Sequence, residues 1–221
     1  MFILGHMVFS YLLGRFVAHR LGLRSSPSLL LLSGAVPDYD LLFGWIGIRH
    51  HTITHSVVFW LPIVVVTFLL FGAKSVPYSV GVVQHFLLND LLVGTVPLVY
   101  PISDSQIGLQ LGMPSAIDTF LEVGVLALVL MYMLSNQDLR MILQPSRENW
   151  LAIIPLVTMV ALSWIASGEA EFGPLIAFAF SRRALTAITI GHVVLGFLLA
   201  ISFVAGLRAL MPAAEETRTA D

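Results

Sequence analysis

Cysteine is absent from the 221-residue chain, and charged residues make up only 11% of it. The lack of cysteine excludes disulfides, thiolate nucleophiles and cysteine-based zinc sites, so any metal must be bound through nitrogen and oxygen. Soluble domains carry about 25% charged residues. Because 57% of this chain is hydrophobic, we expect lipid rather than water to surround it.

A strong charge of either sign is also missing, since the formal net charge is −2. Nucleic-acid binding draws on an excess of basic residues, so no nucleic acid is expected as a partner. A G-x-S-x-G motif is lacking too, which argues against a serine esterase.

Apolar segments follow one another along the chain, and a helix needs about 20 mostly apolar residues to cross a bilayer. We therefore predict an all-α, polytopic membrane helix bundle of about five to seven membrane segments, some broken or re-entrant, around a polar metal site. Residues 1–212 form one domain in this prediction, and 213–221 form a polar, flexible tail. The segments lie approximately at 2–18, 28–48, 55–73, 76–100, 115–135, 150–167 and 186–210.

The basic residues suggest an orientation. Arg20 and Arg24 follow the first segment, Arg140 and Arg147 lie between two later ones, and the link 102–114 has no Lys or Arg. Positive loops stay in the cytoplasm. This places the link 102–114 outside, and it places most polar side chains of the membrane segments at mid-depth or in the extracytoplasmic half.

Two carboxylates, Asp38 and Asp40, lie in the stretch "VPDYD" inside an apolar run. Aspartate is common at helix N-caps and turns, which is the simpler interpretation. Burying two unpaired carboxylates is costly, however, so a cation is expected beside them. A metal ion is one option and Arg49 is the other. Gly34 and Pro37 are expected to break this segment.

Three histidines, His50, His51 and His55, lie in "RHHTITHS". Histidines of a loop are often only solvated, but neutral imidazole is also the commonest metal-binding side chain. Both interpretations stay open from this stretch alone.

The stretch "QHFLLND" places His85 and Asn89 four residues apart, on one face of an α-helix. Asp90 lies about 100° further round. Such residues either bind a ligand or hydrogen-bond another helix.

Three further polar residues belong to the candidate set. His6, in "GHMVFS", is an interfacial histidine or a ligand. Asp118, in "AIDTFLE", suits a helix N-terminus. Glu122, one turn deeper, is a base, a supporting carboxylate or an arginine partner. Together the polar groups suit a one- or two-metal site that activates water. An ion or proton pathway would use the same residues.

The ordered motifs "GHMVFS", "VPDYD", "HHTITHS" and "QHFLLND" followed by "GTVPLVYP" resemble those of a family of membrane-bound, metal-dependent hydrolases described as LexA-binding, inner-membrane-associated proteins. The resemblance covers about residues 1–125. It implies a prokaryotic cell membrane and, by distant similarity to zinc phospholipase C and P1 nuclease, a phosphoester substrate. The matching ligand positions are His6, Asp38, Asp40, His50, His55 and His85.

Two positions depart from the family pattern. His51 stands where the family has arginine, so it is not counted as a ligand. Asn89 stands where the family has aspartate; we keep it in the metal set and expect Asp90 to replace that aspartate by a small helix rotation.

The resulting prediction is a membrane-embedded, metal-dependent hydrolase of a lipid-like phosphoester, in contact with the lipid bilayer. Asp90 and Glu122 are the expected catalytic groups, which orient water or accept its proton. The cofactor is one or two divalent ions, with Zn²⁺ favoured and Mn²⁺ or Mg²⁺ as options. A metal-ion or proton transporter that uses the same cluster is the alternative.

Overall fold

The computed structural model describes residues 2–111, 116–168 and 179–211. This part of the chain is all-helical and contains no β-strand. The predicted tail, 213–221, lies outside the described residues, so the division into domain and tail stays a prediction. The helices are α1 (Ile3–Arg20), α2 (Pro27–Ala35), α3 (Val57–Phe71), α4 (Val76–Gln84), α5 (Leu91–Val93), α6 (Ala116–Ser135), α7 (Asp138–Leu143), α8 (Ile153–Gly168) and α9 (Ala179–Leu210).

Shorter turns of other helix types connect several of these helices. A π-helix, His85–Asp90, joins α4 to α5. The 3-10 helices are Pro37–Ile46, Ile53–His55, Gly72–Ser75 and Arg147–Ala152. The segment predicted at 28–48 is divided, as expected, at the residues before Pro37: α2 ends at Ala35 and a 3-10 helix follows.

Within the described residues, four helical stretches are long and apolar enough to cross a membrane. That is fewer than the predicted five to seven. The stretches are Val57–Val93, Ile117–Ser135, Arg147–Ile165 and Thr186–Leu210. The first contains both α3 and α4, between which Gly72 adopts a positive φ of 60°.

Helix α1 lies at the centre of the bundle rather than at its lipid-facing surface. It contacts α2, α4 and α6. Its buried residues, which include Leu4, Met7 and Tyr11, form the core together with side chains of α2, α6, α8 and α9. Helix α3, by contrast, exposes most of its apolar side chains. Exposed apolar surface of this extent suits contact with lipid.

Close approach of three helices positions the polar residues. A Cβ atom on Gly34 of α2 would collide with the carbonyl oxygen of His6 in α1. One on Gly81 of α4 would collide with the hydroxyls of Ser10 and Ser33. Only glycine allows backbones to come this near. The beginning of α1, the end of α2 and the end of α4 are therefore held together, and each leads directly to predicted ligands.

Candidate metal centre

Four segments that are far apart in sequence supply one buried polar cluster. Its members are more than nine-tenths buried, apart from His50, whose side chain is 28% exposed. Helix α1 supplies His6, the 3-10 helix after α2 supplies Asp38 and Asp40, the stretch before α3 supplies His50 and His55, and the π-helix supplies His85, Asn89 and Asp90.

Four side-chain atoms converge at the centre of this cluster. Nε2 of His55 lies 3.1 Å from Nε2 of His85. Oδ1 of Asp38 lies 3.3 Å from the first nitrogen and 3.2 Å from the second. Oδ2 of Asp90 lies 3.4 Å from His55 Nε2 and 3.3 Å from His85 Nε2. We call these four atoms the inner group.

The other ring nitrogens show which atoms of the inner group carry hydrogen. Nδ1 of His85 lies 2.6 Å from the carbonyl oxygen of Gly34 and must donate to it, because a carbonyl only accepts. The Thr54 hydroxyl donates to Asp40 Oδ2 at 2.5 Å, so its oxygen accepts from Nδ1 of His55 at 3.1 Å. In the neutral rings both Nε2 atoms therefore present lone pairs to each other and to two carboxylates.

A proton or a metal ion between these atoms would satisfy the lone pairs, and the dimensions of the inner group suit a metal ion. In a tetrahedral zinc site with metal–ligand distances of about 2.0–2.2 Å, the ligand atoms lie about 3.3–3.6 Å apart. The five distances within the inner group run from 3.1 to 3.4 Å. Metal-binding histidines also typically donate a hydrogen bond from the other ring nitrogen, here Nδ1, to a neighbouring oxygen, and this bond orients the ring.

The π-helix explains why Asp90 rather than Asn89 joins the inner group. In an α-helix, Asn89 would share the face of His85; the wider π turn brings the fifth residue, Asp90, onto that face instead. Asn89 donates from Nδ2 to Nδ1 of His6 at 3.1 Å, and its Oδ1 is buried without a hydrogen-bond partner in the described structure.

His6 packs beside the inner group. Its ring stacks on that of His85, with centroids 3.7 Å apart. Since its Nδ1 accepts from Asn89, neutral His6 carries its hydrogen on Nε2, which lies 3.5 Å from Oδ1 of Asp90. His6 is also within ligand reach of Asp38 and His85.

A second group of potential ligands adjoins the inner one on its more exposed side. Nδ1 of His50 bonds Oδ1 of Asp40 at 2.8 Å, and its Nε2 lies 3.8 Å from Oδ1 of Asp38. His50, His51 and His55 also lie within ligand distance of one another. The option that Arg49 pairs with the carboxylates finds no support, because every ion pair described for Asp38 and Asp40 is with a histidine.

His51, which was not predicted to be a ligand, lies beside the predicted ligands. Its backbone has a positive φ of 56°, a conformation rare outside glycine that is often found at functional sites. Its ring centroid lies 3.9 Å from that of His50. Burial and the neighbouring His50 lower the pKa of His51 to about 3, so the ring is neutral at pH 7. The signal available in sequence was its adjacency to His50.

Glu122 lies apart from the described groups of potential ligands. It accepts a hydrogen bond from the backbone N–H of Phe2, which precedes α1. Free N–H groups at the start of a helix favour a carboxylate, so Glu122 caps α1 from α6. Its predicted catalytic role stays a prediction. Asp118 is buried one turn earlier in α6.

Comparison with known proteins places the chain in a family. No curated protein and no solved structure matches it. A family model described as YdjM inner membrane protein matches residues 1–171, which include every residue of the cluster. The LexA-binding and hydrolase parts of the resemblance stay predictions. The match and the four apolar helical stretches identify the chain as an integral membrane protein of the inner membrane that belongs to the YdjM inner membrane protein family.

Proposed function

We propose that the protein is a membrane-embedded, metal-dependent hydrolase that acts on a lipid or lipid-linked phosphoester. The observation that carries the proposal is the convergence of the four inner-group atoms at separations suited to one ion. When bound at such a site, a divalent ion lowers the pKa of a water molecule and polarises a phosphoryl oxygen. Zn²⁺ suits this set of nitrogen and oxygen donors, and Mn²⁺ and Mg²⁺ are the other ions to test.

The more exposed side of the cluster, at His50, supports a catalytic role. Structural zinc sites are closed by four protein ligands, whereas catalytic sites keep a position for water or substrate. Asp40 holds Nδ1 of His50 and leaves Nε2 free, 3.8 Å from Asp38. A second ion on His50 and Asp38 would keep positions that a substrate can reach, and paired ions are common in phosphoester hydrolases.

The surrounding residues orient the ligands in this proposal. The carbonyl of Gly34 accepts a hydrogen bond from Nδ1 of His85, and the hydroxyl of Thr54 accepts one from Nδ1 of His55. Asn89 holds His6, whose Nε2 faces the second oxygen of Asp90. Oδ1 of Asp90, which is oriented by His6, is therefore the atom best situated to take up the proton that a metal-activated water would release on attack at phosphorus.

A lipid substrate is favoured by the surroundings of the site. His85, Asn89 and Asp90 belong to an apolar helical stretch long enough to cross the membrane. Ionisable residues at such depth are costly and normally serve function. A phosphoester is preferred to a carboxylic ester because the sequence lacks the serine motif of esterases.

The first test measures bound metal. The protein is purified in detergent, and its metal content is determined by mass spectrometry beside that of His55→Ala and Asp38→Ala. The matched control is His192→Ala, because His192 lies in α9, away from the cluster, and its hydrogen bond within the described residues goes to the carbonyl of Ile188 in its own helix. We expect one or two ions in the native protein and in the control, and loss from both site variants. Unchanged metal content in the site variants would contradict the site.

The second test separates an enzyme from a carrier. Phosphatidylglycerol and a soluble phosphodiester are incubated with the metal-loaded protein, with and without chelator. Metal-dependent release of product supports hydrolysis. Metal-dependent ion flux into protein-containing vesicles without any product would favour the transporter.

A further inference from the structure

A long apolar groove runs along α4 on the lipid-facing side of the protein. It encloses about 560 Å³, within the range of small-molecule sites. Its walls come from α1, α3 and α4, with Leu13, Phe68, Val80 and Val83 among them. The α3 wall is well exposed, since Leu69 is 77% accessible. The groove is therefore continuous with the surface that contacts the bilayer.

The dimensions of the groove suit a single hydrocarbon chain. Along α4 and the π-helix, its lining extends from Val76 to Leu88. At a rise of about 1.5 Å per residue, this span is roughly 18 Å long. One leaflet of the hydrocarbon core is about 15 Å thick, half of the whole. An acyl chain of one leaflet would thus fill the groove from end to end.

Near its π-helix end, the groove approaches the candidate metal centre at Gln84. Gln84 is among the residues that line the groove, is 5% exposed and precedes His85. Both hydrogens of its Nε2 are used, by the carbonyls of His6 at 3.2 Å and Gly81 at 3.1 Å. Its Oε1 is buried and has no hydrogen-bond partner in the described structure. A buried acceptor of this kind is costly unless a donor reaches it.

We infer that the groove binds one acyl chain of the lipid substrate and that Gln84 Oε1 accepts a hydrogen bond from a hydroxyl or amide of that lipid. The chain end lies toward Ser75, and the polar end lies at Gln84, beside His6 and the inner-group residue His85. The inference rests on the proposed function, and it narrows the substrate to a chain-bearing lipid with a donor near its phosphoester.

A second copy of the protein is the other possible occupant, and the test separates the two. The probe is phosphatidylglycerol with a diazirine at the end of one acyl chain, in vesicles of phosphatidylethanolamine and phosphatidylglycerol. The groove variant is Val80→Trp, in which the indole would fill the groove. The matched control is Leu70→Trp, because Leu70 is 70% exposed and does not line the groove. Metal content measures whether each variant keeps its fold.

We expect photolabelling of the native protein to concentrate on the groove walls. In Val80→Trp that labelling should fall at least about fivefold, because a groove filled by the indole cannot accept the acyl chain without strain. Leu70→Trp should be labelled like the native protein. Equal labelling of Val80→Trp, labelling spread evenly over all lipid-facing helices, or a change of oligomeric state in Val80→Trp alone would overturn the inference.

Turnover distinguishes failure of the groove from failure of the hydrolase. If both proposals hold, Val80→Trp loses phosphatidylglycerol cleavage but keeps cleavage of a soluble phosphodiester that has no acyl chain. Equal cleavage of phosphatidylglycerol by both tryptophan variants would overturn the groove alone. Groove labelling without cleavage of either compound would overturn the hydrolase and support the groove as a lipid site.

Discussion

At the scale of single residues, Asn89 and Asp90 have different environments although they are neighbours. Asp90 presents Oδ2 to both Nε2 atoms of the inner group, at 3.3 and 3.4 Å. Asn89 instead bonds Nδ1 of His6. A carboxylate supplies the charge that a divalent ion requires, whereas the carboxamide only orients a neighbouring ring. The two residues should therefore affect metal binding unequally.

Substitution of these two neighbours tests that difference. In Asp90→Asn, zinc affinity should fall by more than about 100-fold, because a charged ligand is lost, while Asn89→Ala should cost about 10–100-fold, as is typical of residues that orient ligands. Competition titration with a chromophoric chelator in detergent measures both affinities. A larger loss in Asn89→Ala than in Asp90→Asn would contradict the assignment.

At the scale of elements, the site depends on how closely α1, α2 and α4 approach each other. Gly34 of α2 has no room for a Cβ because the carbonyl oxygen of His6 lies against it. Its own carbonyl also fixes the ring of His85. One glycine thus sets the distance between two helices and the orientation of a ligand on a third. Overpacking here should disturb stability and metal binding together.

The substitution Gly34→Ala tests this coupling. It should lower the free energy of unfolding by about 1–3 kcal/mol, the usual cost of overpacking, and it should reduce bound metal because α1 must move. The control is Gly124→Ala in α6, where an added Cβ meets nothing within 4 Å; it should be neutral or stabilise by up to about 1 kcal/mol. Thermal unfolding followed by tryptophan fluorescence, with metal analysis, gives both quantities. Gly34→Ala with native stability and full metal content would refute the coupling.

At the scale of the whole molecule, the orientation in the membrane decides which side the site faces. Arg140 and Arg147 lie within the link between α6 and α8, whereas 102–114 has no basic residue. By the positive-inside rule, the first link is cytoplasmic and the second is outside. The partly exposed side chain of His50 would then face the extracytoplasmic side.

The absence of cysteine makes this orientation easy to test, since a single introduced thiol is the only one in the chain. A membrane-impermeant maleimide applied to intact cells should label Ser105→Cys and should not label Gln144→Cys; both native residues are exposed. Gln144→Cys should react only after the membrane is opened. The reverse pattern would place the site toward the cytoplasm.

Composition and residue order were enough to predict the membrane environment, the all-helical class and the break near Pro37. These features follow from local properties: long apolar runs need lipid, and proline restricts the residue before it. The same reasoning identified Asp38, His55 and His85 as candidate ligands, because ionisable side chains inside apolar runs require partners, and the family resemblance then implied that they bind metal. The family match supports the membrane assignment.

Other features depend on packing, which no local pattern reports. The π-helix turns Asp90 toward His85, and nothing in "QHFLLND" distinguishes a π turn from an α turn. The contact of Glu122 with the N–H of Phe2 also arises from the approach of α1 to α6, which the sequence does not report. The central position of α1 in the bundle also depends on packing.

The sequence by itself therefore determined the solvent of this protein and the chemical type of its buried side chains, since hydrophobicity and charge belong to each residue separately. Only the tertiary structure decided which of those side chains meet. The candidate ligands at positions 38, 55, 85 and 90 come from three different segments, and their separations of 3.1 to 3.4 Å arise from the close contact of helices that glycine permits. Metal binding requires that convergence, because an ion is held by the distances between ligands and not by their order in the chain.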